Sequence, residues 1–232
     1  MRLHRNLVFA VIDGLHEIFN EGAYADKVVQ KLLKRDKRWG ARDRGFVAEA
    51  LYEIVRWKRL YAEIAEVKEP FSRENLWRIF AVWATLRGIT LPDWKQIVPT
   101  PTRRIKGRFD ELSKIRKYRE SIPDWIDELG QQELGNLWDR EITALNEKAP
   151  VILRANTLKT TRDKLRGILE DEDIDTEFMK GYPDALKLSE RSNVFSTQAF
   201  IDGLFEVQDA SSQLVARLLD VQSGQRIVDT CA

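Results

Sequence analysis

The hydrophobic pattern changes its period at Ala149-Pro150, and this change limits what the chain can fold into. Before it, apolar residues return every three or four positions, as they do along one side of a helix; after it come short β-rich runs. Leu7, Val11, Leu15 and Ile18 make one stripe over residues 3–19, widened by Val8, Ile12 and Phe19, and Asn20-Glu21-Gly22 ends it. Residues 27–34 predict a second helix with Val28, Val29, Leu32 and Leu33 buried. Asp43 is expected to cap a long third helix whose inner face is Phe46, Ala50, Ile54, Trp57 and Tyr61. Residues 74–86 predict a strongly aromatic fourth, and Pro92, Pro99 and Pro101 mark a loop that helices cannot continue through. A basic helix over 109–120 and two shorter ones over 124–129 and 132–146 complete an all-α bundle of about seven helices.

Beyond Pro150 the reading is a small α/β unit. Residues 151–156 have strand character, and Thr161 precedes an amphipathic helix carrying Leu165, Ile168 and Leu169. An acidic, turn-rich segment follows, then short apolar runs at 185–188 and 194–195. The run Glu170-Asp171-Glu172-Asp173 lacks the alternating oxygens and central glycine of a calcium loop and reads as a solvated turn. From Gln208 to Ser212, side-chain oxygens precede a helix with Leu214, Val215, Leu218 and Leu219 on one face. Gly224 breaks it, and residues 226–229 read as a short strand ending in Asp229. Many nucleotide-binding α/β sheets begin in this way, with ligands outside the carboxyl ends of the strands. One helix and one strand bury too little to offset their ordering entropy, so the segment is expected to be the front of a longer sheet. The expected domains are therefore 1–147, 148–205 and 206–232.

Charge divides the chain at nearly the same place. Residues 1–120 hold 26 Lys and Arg against 16 Asp and Glu, a net of +10, and the remainder carries −9 within a total of +1. All seven tryptophans also precede residue 140. The overall charge alone would argue against a polyanionic partner, but the asymmetry points the first half towards nucleic acid. No run approaches the roughly 20 apolar residues that span a bilayer, and residues 1–20 lack a secretory signal. One cysteine and two histidines exclude a disulfide framework and argue against a protein-built zinc site, so no metal and a cytoplasmic location are expected.

Two cationic stretches are the candidate RNA contacts. The first includes Arg35, Lys37, Arg38, Arg42 and Arg44; the second includes Arg103, Arg104, Lys106 and Arg108 and runs on to Arg119. Dense cations release counterions from phosphates, which drives binding, and Trp39 and Tyr118 within the stretches could stack on unpaired bases. The competing reading is a pair of solvated helix faces, with Trp39 and Tyr118 in the core. Arg154 and Asn156 share one side of a strand by the period-two rule and offer groups suited to phosphate or base edges. An internal hydrogen bond is the alternative for them.

The segment QDASSQLVARLLDVQSGQRIVDTCA resembles the start of the methyltransferase domain in the Sun (Fmu) family of RNA cytosine-5 methyltransferases, the bacterial RsmB type. SIPDWI followed by APVILRANTLK is similar to the same family's S-x-P-x-W to L-R-x-N-T-x-K passage. WGARDRGFV, ahead of a long helix, resembles the helical RNA-binding domain shared with the antitermination factor NusB. The resemblance implies a mainly α chain: a NusB-like all-helical bundle, a small α/β subdomain for RNA recognition, and the first helix and strand of a truncated Rossmann-like methyltransferase domain. It places Asp229, Cys231 and Ala232 at the first positions of the loop that holds S-adenosylmethionine. It implies that Cys231 is not the nucleophile, because the family's catalytic cysteines come later; no catalytic residue is expected in this chain. The parent would be a cofactor-dependent RNA methyltransferase, with 16S rRNA the expected substrate, while the fragment would be inactive and hold no cofactor. A stand-alone NusB-like RNA-binding or antitermination module is the alternative, and a helical protein–protein scaffold is a third reading.

Overall fold

The computed structural model describes residues 3–97 and 102–230, and the chain divides into two compact units, Met1–Glu147 and Lys148–Ala232. The first is helical: α1 (Arg5–Asn20), α2 (Ala25–Arg35), α3 (Ala41–Arg56), α4 (Lys58–Ala65), α5 (Arg73–Leu86), α6 (Thr102–Leu112), α7 (Arg116–Arg119), α8 (Asp124–Leu134) and α9 (Trp138–Asn146). The expected stripes meet in one core. Leu7, Val11 and Leu15 of α1 pack with Val28, Val29 and Leu32 of α2 and with Phe46, Ala50 and Ile54 of α3 around Leu76, Ile79, Phe80 and Trp83 of α5. Burying side chains of this size stabilises by roughly 1.5–3 kcal/mol each, which is why the apolar stripe outweighs local propensity.

Among the described residues of this unit nine α-helices stand where about seven were expected, because two long ones are each broken. The third breaks at Trp57, whose ψ of 24° leaves the helical region; Leu60 and Ile64 of α4 are thereby buried in the same core as α5. The basic helix breaks after Leu112. There the Ser113 hydroxyl donates to the Phe109 carbonyl at 2.6 Å, a back-bond that loosens the helical ladder. The third helix starts at Gly40 rather than at Asp43, and the Asp43 carboxylate reaches back to accept the Gly40 N–H at 3.3 Å. Ser72 caps α5 by accepting the Asn75 N–H at 3.1 Å. Gly135 ends α8 at a φ of +52°, a left-handed value that suits glycine, and the chain turns into α9. The Trp138 indole then covers Gly130 so closely that no Cβ would fit there.

The second unit contains β1 (Ile152–Ala155), α10 (Arg162–Asp171), β2 (Thr176–Phe178), β3 (Ala185–Leu188), α11 (Gln198–Ile201), β4 (Phe205–Val207) and α12 (Ala210–Leu218). The sheet order is β2-β3-β1-β4 and every pairing is antiparallel. Two split βαβ units, β1-α10-β2 and β3-α11-β4, interleave in the ferredoxin-like manner. Leu153, Ala155, Leu186, Leu188 and Phe205 face one way and bury Leu165 and Leu169 of α10. Ile152 and Ala185 face the other way, against Ala210 of α12.

The segment after Gln208 differs from expectation. Asp209 caps α12 by accepting the Ser211 N–H at 2.9 Å, as the oxygen-rich run implied. The apolar face does not go inward, however: Val215, Leu218 and Leu219 are exposed. Among the described residues, 226–229 form no strand, and Ile227 and Val228 lie exposed.

Candidate nucleic-acid interface

The two cationic stretches fall on different helices. Residues 31–44 cover the end of α2, the turn after it and the start of α3; residues 103–108 lie on α6. In each stretch the structure separates cations held by carboxylates from cations that are not. Arg35 reaches Asp13 at 3.2 Å, and Arg73 reaches the same carboxylate at 2.6 Å. Arg38 grips Asp36 through two guanidinium contacts at 2.7 and 2.9 Å and through its backbone N–H at 3.0 Å. Those bonds from Arg38 hold the Asp36 carboxyl down at about 2, so this pair stays charged but mutually neutralised. Arg104 pairs with Glu66, and Arg108 meets the same carboxylate at 3.3 Å. Arg108 also donates to the Glu63 carbonyl at 2.8 Å, which ties α6 to the end of α4.

Lys37, Arg42, Arg44, Arg103 and Lys106 are exposed and make no carboxylate contact among the described residues. These five could neutralise phosphate without first leaving a partner. Farther along, Arg116 pairs with Asp127, Lys117 with Asp124, and Arg119 with Glu120 and Asp139, so the end of that stretch fastens helices together. Trp39 is buried in the core, and the Arg59 guanidinium sits 4.9 Å from the Tyr118 ring centroid. Neither aromatic is an open platform for a base.

Glu120 anchors this part of the bundle. Burial works against its ionisation, but bonds from Asn146 at 2.9 Å, Arg119 at 2.8 Å and Thr143 at 2.8 Å outweigh that effect and hold its carboxyl below the usual range. One buried carboxylate thereby joins α7 to α9.

Arg154 and Asn156 do not form a pair. Arg154 is half-buried on β1, on the face opposite Leu153, with Glu206 of β4 and Ala185 of β3 as its cross-strand neighbours. Asn156 lies one residue past the strand and braces a turn: its amide donates to the Gly203 carbonyl at 2.9 Å, and its oxygen accepts the Leu158 N–H at 3.2 Å. Lys159 fastens the same turn through the Asp202 carbonyl at 2.7 Å. Of the three cofactor positions, Asp229 is exposed and outside any helix or strand, and Cys231 and Ala232 lie outside the described residues.

One group of side chains was not anticipated. Arg162 and Arg166 of α10 both lie over the Phe178 ring of β2, at 4.4 and 4.8 Å from its centroid. Their four-residue spacing was visible in the sequence, but an aromatic partner on a three-residue strand was not.

Residues 122–195 match the family model for the ferredoxin-like domain of RsmF/B-like methyltransferases, a match that begins in the last helices of the bundle and runs into the sheet. Ribosomal RNA small subunit methyltransferase B of Serratia proteamaculans is 33% identical over 144 residues, covering 61% of this chain and 34% of that protein. The protein of the same name from Salmonella typhi is 37% identical over 110 residues, 47% of this chain and 26% of the relative. The chain thus spans about a third or less of these relatives' length. The solved crystal structure of PH0851 superposes with a TM-score of 0.62 at 18% identity, covering 97% of this chain and 57% of that one, a likeness of fold. Through this ferredoxin-like domain and over part of their length, the chain is similar to proteins named ribosomal RNA small subunit methyltransferase B.

Proposed function

We propose that this chain is the RNA-recognition portion of an S-adenosylmethionine-dependent methyltransferase acting on C5 of a cytosine in small-subunit rRNA. The observation that carries the reading is the likeness to relatives named for small-subunit rRNA methylation. The helical unit supplies grip through Lys37, Arg42, Arg44, Arg103 and Lys106, which are exposed and hold no carboxylate among the described residues. Arg35, Arg38, Arg104 and Arg108 shape that surface while paired, and the α/β unit, with Arg154 beside α12, helps deliver the target base. Domain limits of 1–147, 148–205 and 206–232 are part of this reading, although β4 runs across the second of them.

Within the family pattern, Asp229, Cys231 and Ala232 belong to the loop that holds the cofactor, whose chemistry is to donate a methyl group. Of these, only Asp229 is among the described residues, where it is exposed and outside any helix or strand. The sequence has a single cysteine, so the 232 residues on their own are proposed to be inactive and to leave the cofactor unbound. No helix among the described residues is long and apolar enough to cross a membrane, and a cytoplasmic location belongs to the proposal.

The test is binding of the protein to a folded small-subunit rRNA fragment across a salt series. Five phosphate contacts predict a slope of log K against log salt of about −3.5 to −4.5, hence a loss on the order of a hundredfold for a fourfold rise in salt. Affinity that does not change between low and moderate salt refutes the reading, and methyl transfer by these 232 residues alone refutes the inactivity.

A further inference from the structure

We infer that the α/β unit carries a second RNA site of its own, a phosphate-binding patch built on the Arg162–Arg166–Phe178 stack and Lys180. This deepens the RNA-binding reading and rests on it.

The patch begins with a charge layout that runs against electrostatics. A helix presents partial positive charge at its N-terminus and partial negative charge at its C-terminus, so anions are favoured at the first and cations at the second. Helix α10 leans the other way, with Arg162, Lys164 and Arg166 outnumbering Asp163 in its first half and Glu170 and Asp171 at its end. Glu172, just beyond, has a structural reason to be acidic: its carboxylate accepts the N–H groups of Gln198 and Ala199 at 2.8 and 3.0 Å and so caps α11. The cations have no such reason. Lys164, Arg166 and Lys180 are exposed and make no carboxylate contact among the described residues. Among the described residues the Arg162 side chain donates to the Tyr182 carbonyl, at 3.2 Å, while its Nε is shielded without a partner. The nearby Asp184 is already held by Arg217.

Geometry adds a platform. The two guanidiniums over Phe178 are held near the ring by cation–π attraction, which orders them without consuming their charge. Beside them lies a groove of about 500 Å³ lined by Arg162, Phe178, Met179, Lys180, Tyr182 and neighbouring loop residues. That volume is within the range of roughly 300–1,000 Å³ in which small ligands are held. Planar guanidiniums with free N–H edges suit phosphate oxygens, and stacked guanidinium planes also accept unpaired bases. Strand β2 is at the edge of the sheet, so an extended polynucleotide can approach this groove. A single-stranded RNA segment therefore fits it better than a duplex, whose phosphates are fixed in register.

The experiment measures binding of a fluorescently labelled 20-nucleotide oligouridylate to the intact 232-residue protein and to two double variants, R166E/K180E and R42E/R44E, over a salt series. The side chains of Arg166 and Lys180 make no hydrogen bond among the described residues, and R166A/K180A replaces the reversal if R166E/K180E melts early. R166E/K180E is expected to bind at least tenfold more weakly, with the salt slope flatter by about 1.4, the share of two single-strand phosphates. If it binds within twofold of the parent while R42E/R44E weakens binding, this inference falls and the RNA reading stands. If the parent protein does not bind RNA at 50 mM salt, both fall. If poly-glutamate rather than the oligouridylate feels the substitutions, the patch serves an acidic protein surface and the inference is overturned.

Discussion

Replacing Gly130 by alanine tests whether the last two long helices of the bundle are locked by a single contact. A Cβ at this position would lie 2.2 Å from Trp138 Cε2, 2.3 Å from Cδ2 and 2.5 Å from Cζ2. Carbon atoms rest about 3.5–4.0 Å apart, so the indole must withdraw by more than about 1 Å. It is not free to do so, because Trp138 is buried and its Nε1–H donates to Asp127 Oδ1 at 2.9 Å. Overpacking costs about 1–3 kcal/mol, and losing a hydrogen bond to a charged group costs about 1.5–3 kcal/mol. Alanine returns about 1 kcal/mol in helix propensity. The balance is a destabilisation of about 3 kcal/mol, which lowers the melting temperature of a unit of this size by roughly 6–12 °C. Thermal unfolding followed by circular dichroism, with tryptophan fluorescence as a second probe, measures it. In a Trp138→Leu background the same substitution should become neutral or mildly stabilising, because the ring is gone. A melting temperature within 1 °C of the parent, or an equal loss in both backgrounds, refutes the reasoning.

Two further substitutions follow from the hydrogen bonding. Glu120→Gln should destabilise the helical unit by about 2 kcal/mol at neutral pH, since the amide cannot accept all three donors that meet there. Because the Glu120 carboxyl is held below its ordinary value, its stabilisation is complete above that value and is lost as pH falls through the lower, folded-state one. The difference between parent and variant should therefore shrink below about pH 4.3 in acid-denaturation curves, and a constant difference would exclude this role. Asn156→Ala should lower the stability of the α/β unit by about 1–2 kcal/mol while leaving RNA affinity below the melting range unchanged. A drop in affinity without loss of stability would instead make Asn156 an RNA contact.

Much of the helical unit was legible because its signal is periodic. Stripes such as Leu7, Val11 and Leu15, or Leu76, Phe80 and Trp83, can be buried together in one way only. The break at Trp57 was not legible, since no glycine or proline marks it and it depends on how α4 meets α5. Strands β2 and β4 were missed for a related reason. Each has three residues, too few to show a period of two; β4 also pairs with the distant β1, while β2 meets β3 across a short segment whose turn residues mask the strand. At the candidate interface, residue type revealed where the cations are but not which ones already hold a carboxylate. Arg42 and Arg108 look alike in sequence; the first faces solvent, and the second is tied to Glu63 and Glu66.

The position of β1 in the sheet also governs the timing of assembly. It is the first strand of its unit, yet it is paired by residues 185–187 on one edge and 205–207 on the other. Neither edge can be satisfied until long stretches of chain have been released from the ribosome, whereas the helices before it close contacts among near neighbours as they emerge. Nascent chains should therefore acquire a protease-resistant helical half well before the sheet zips shut.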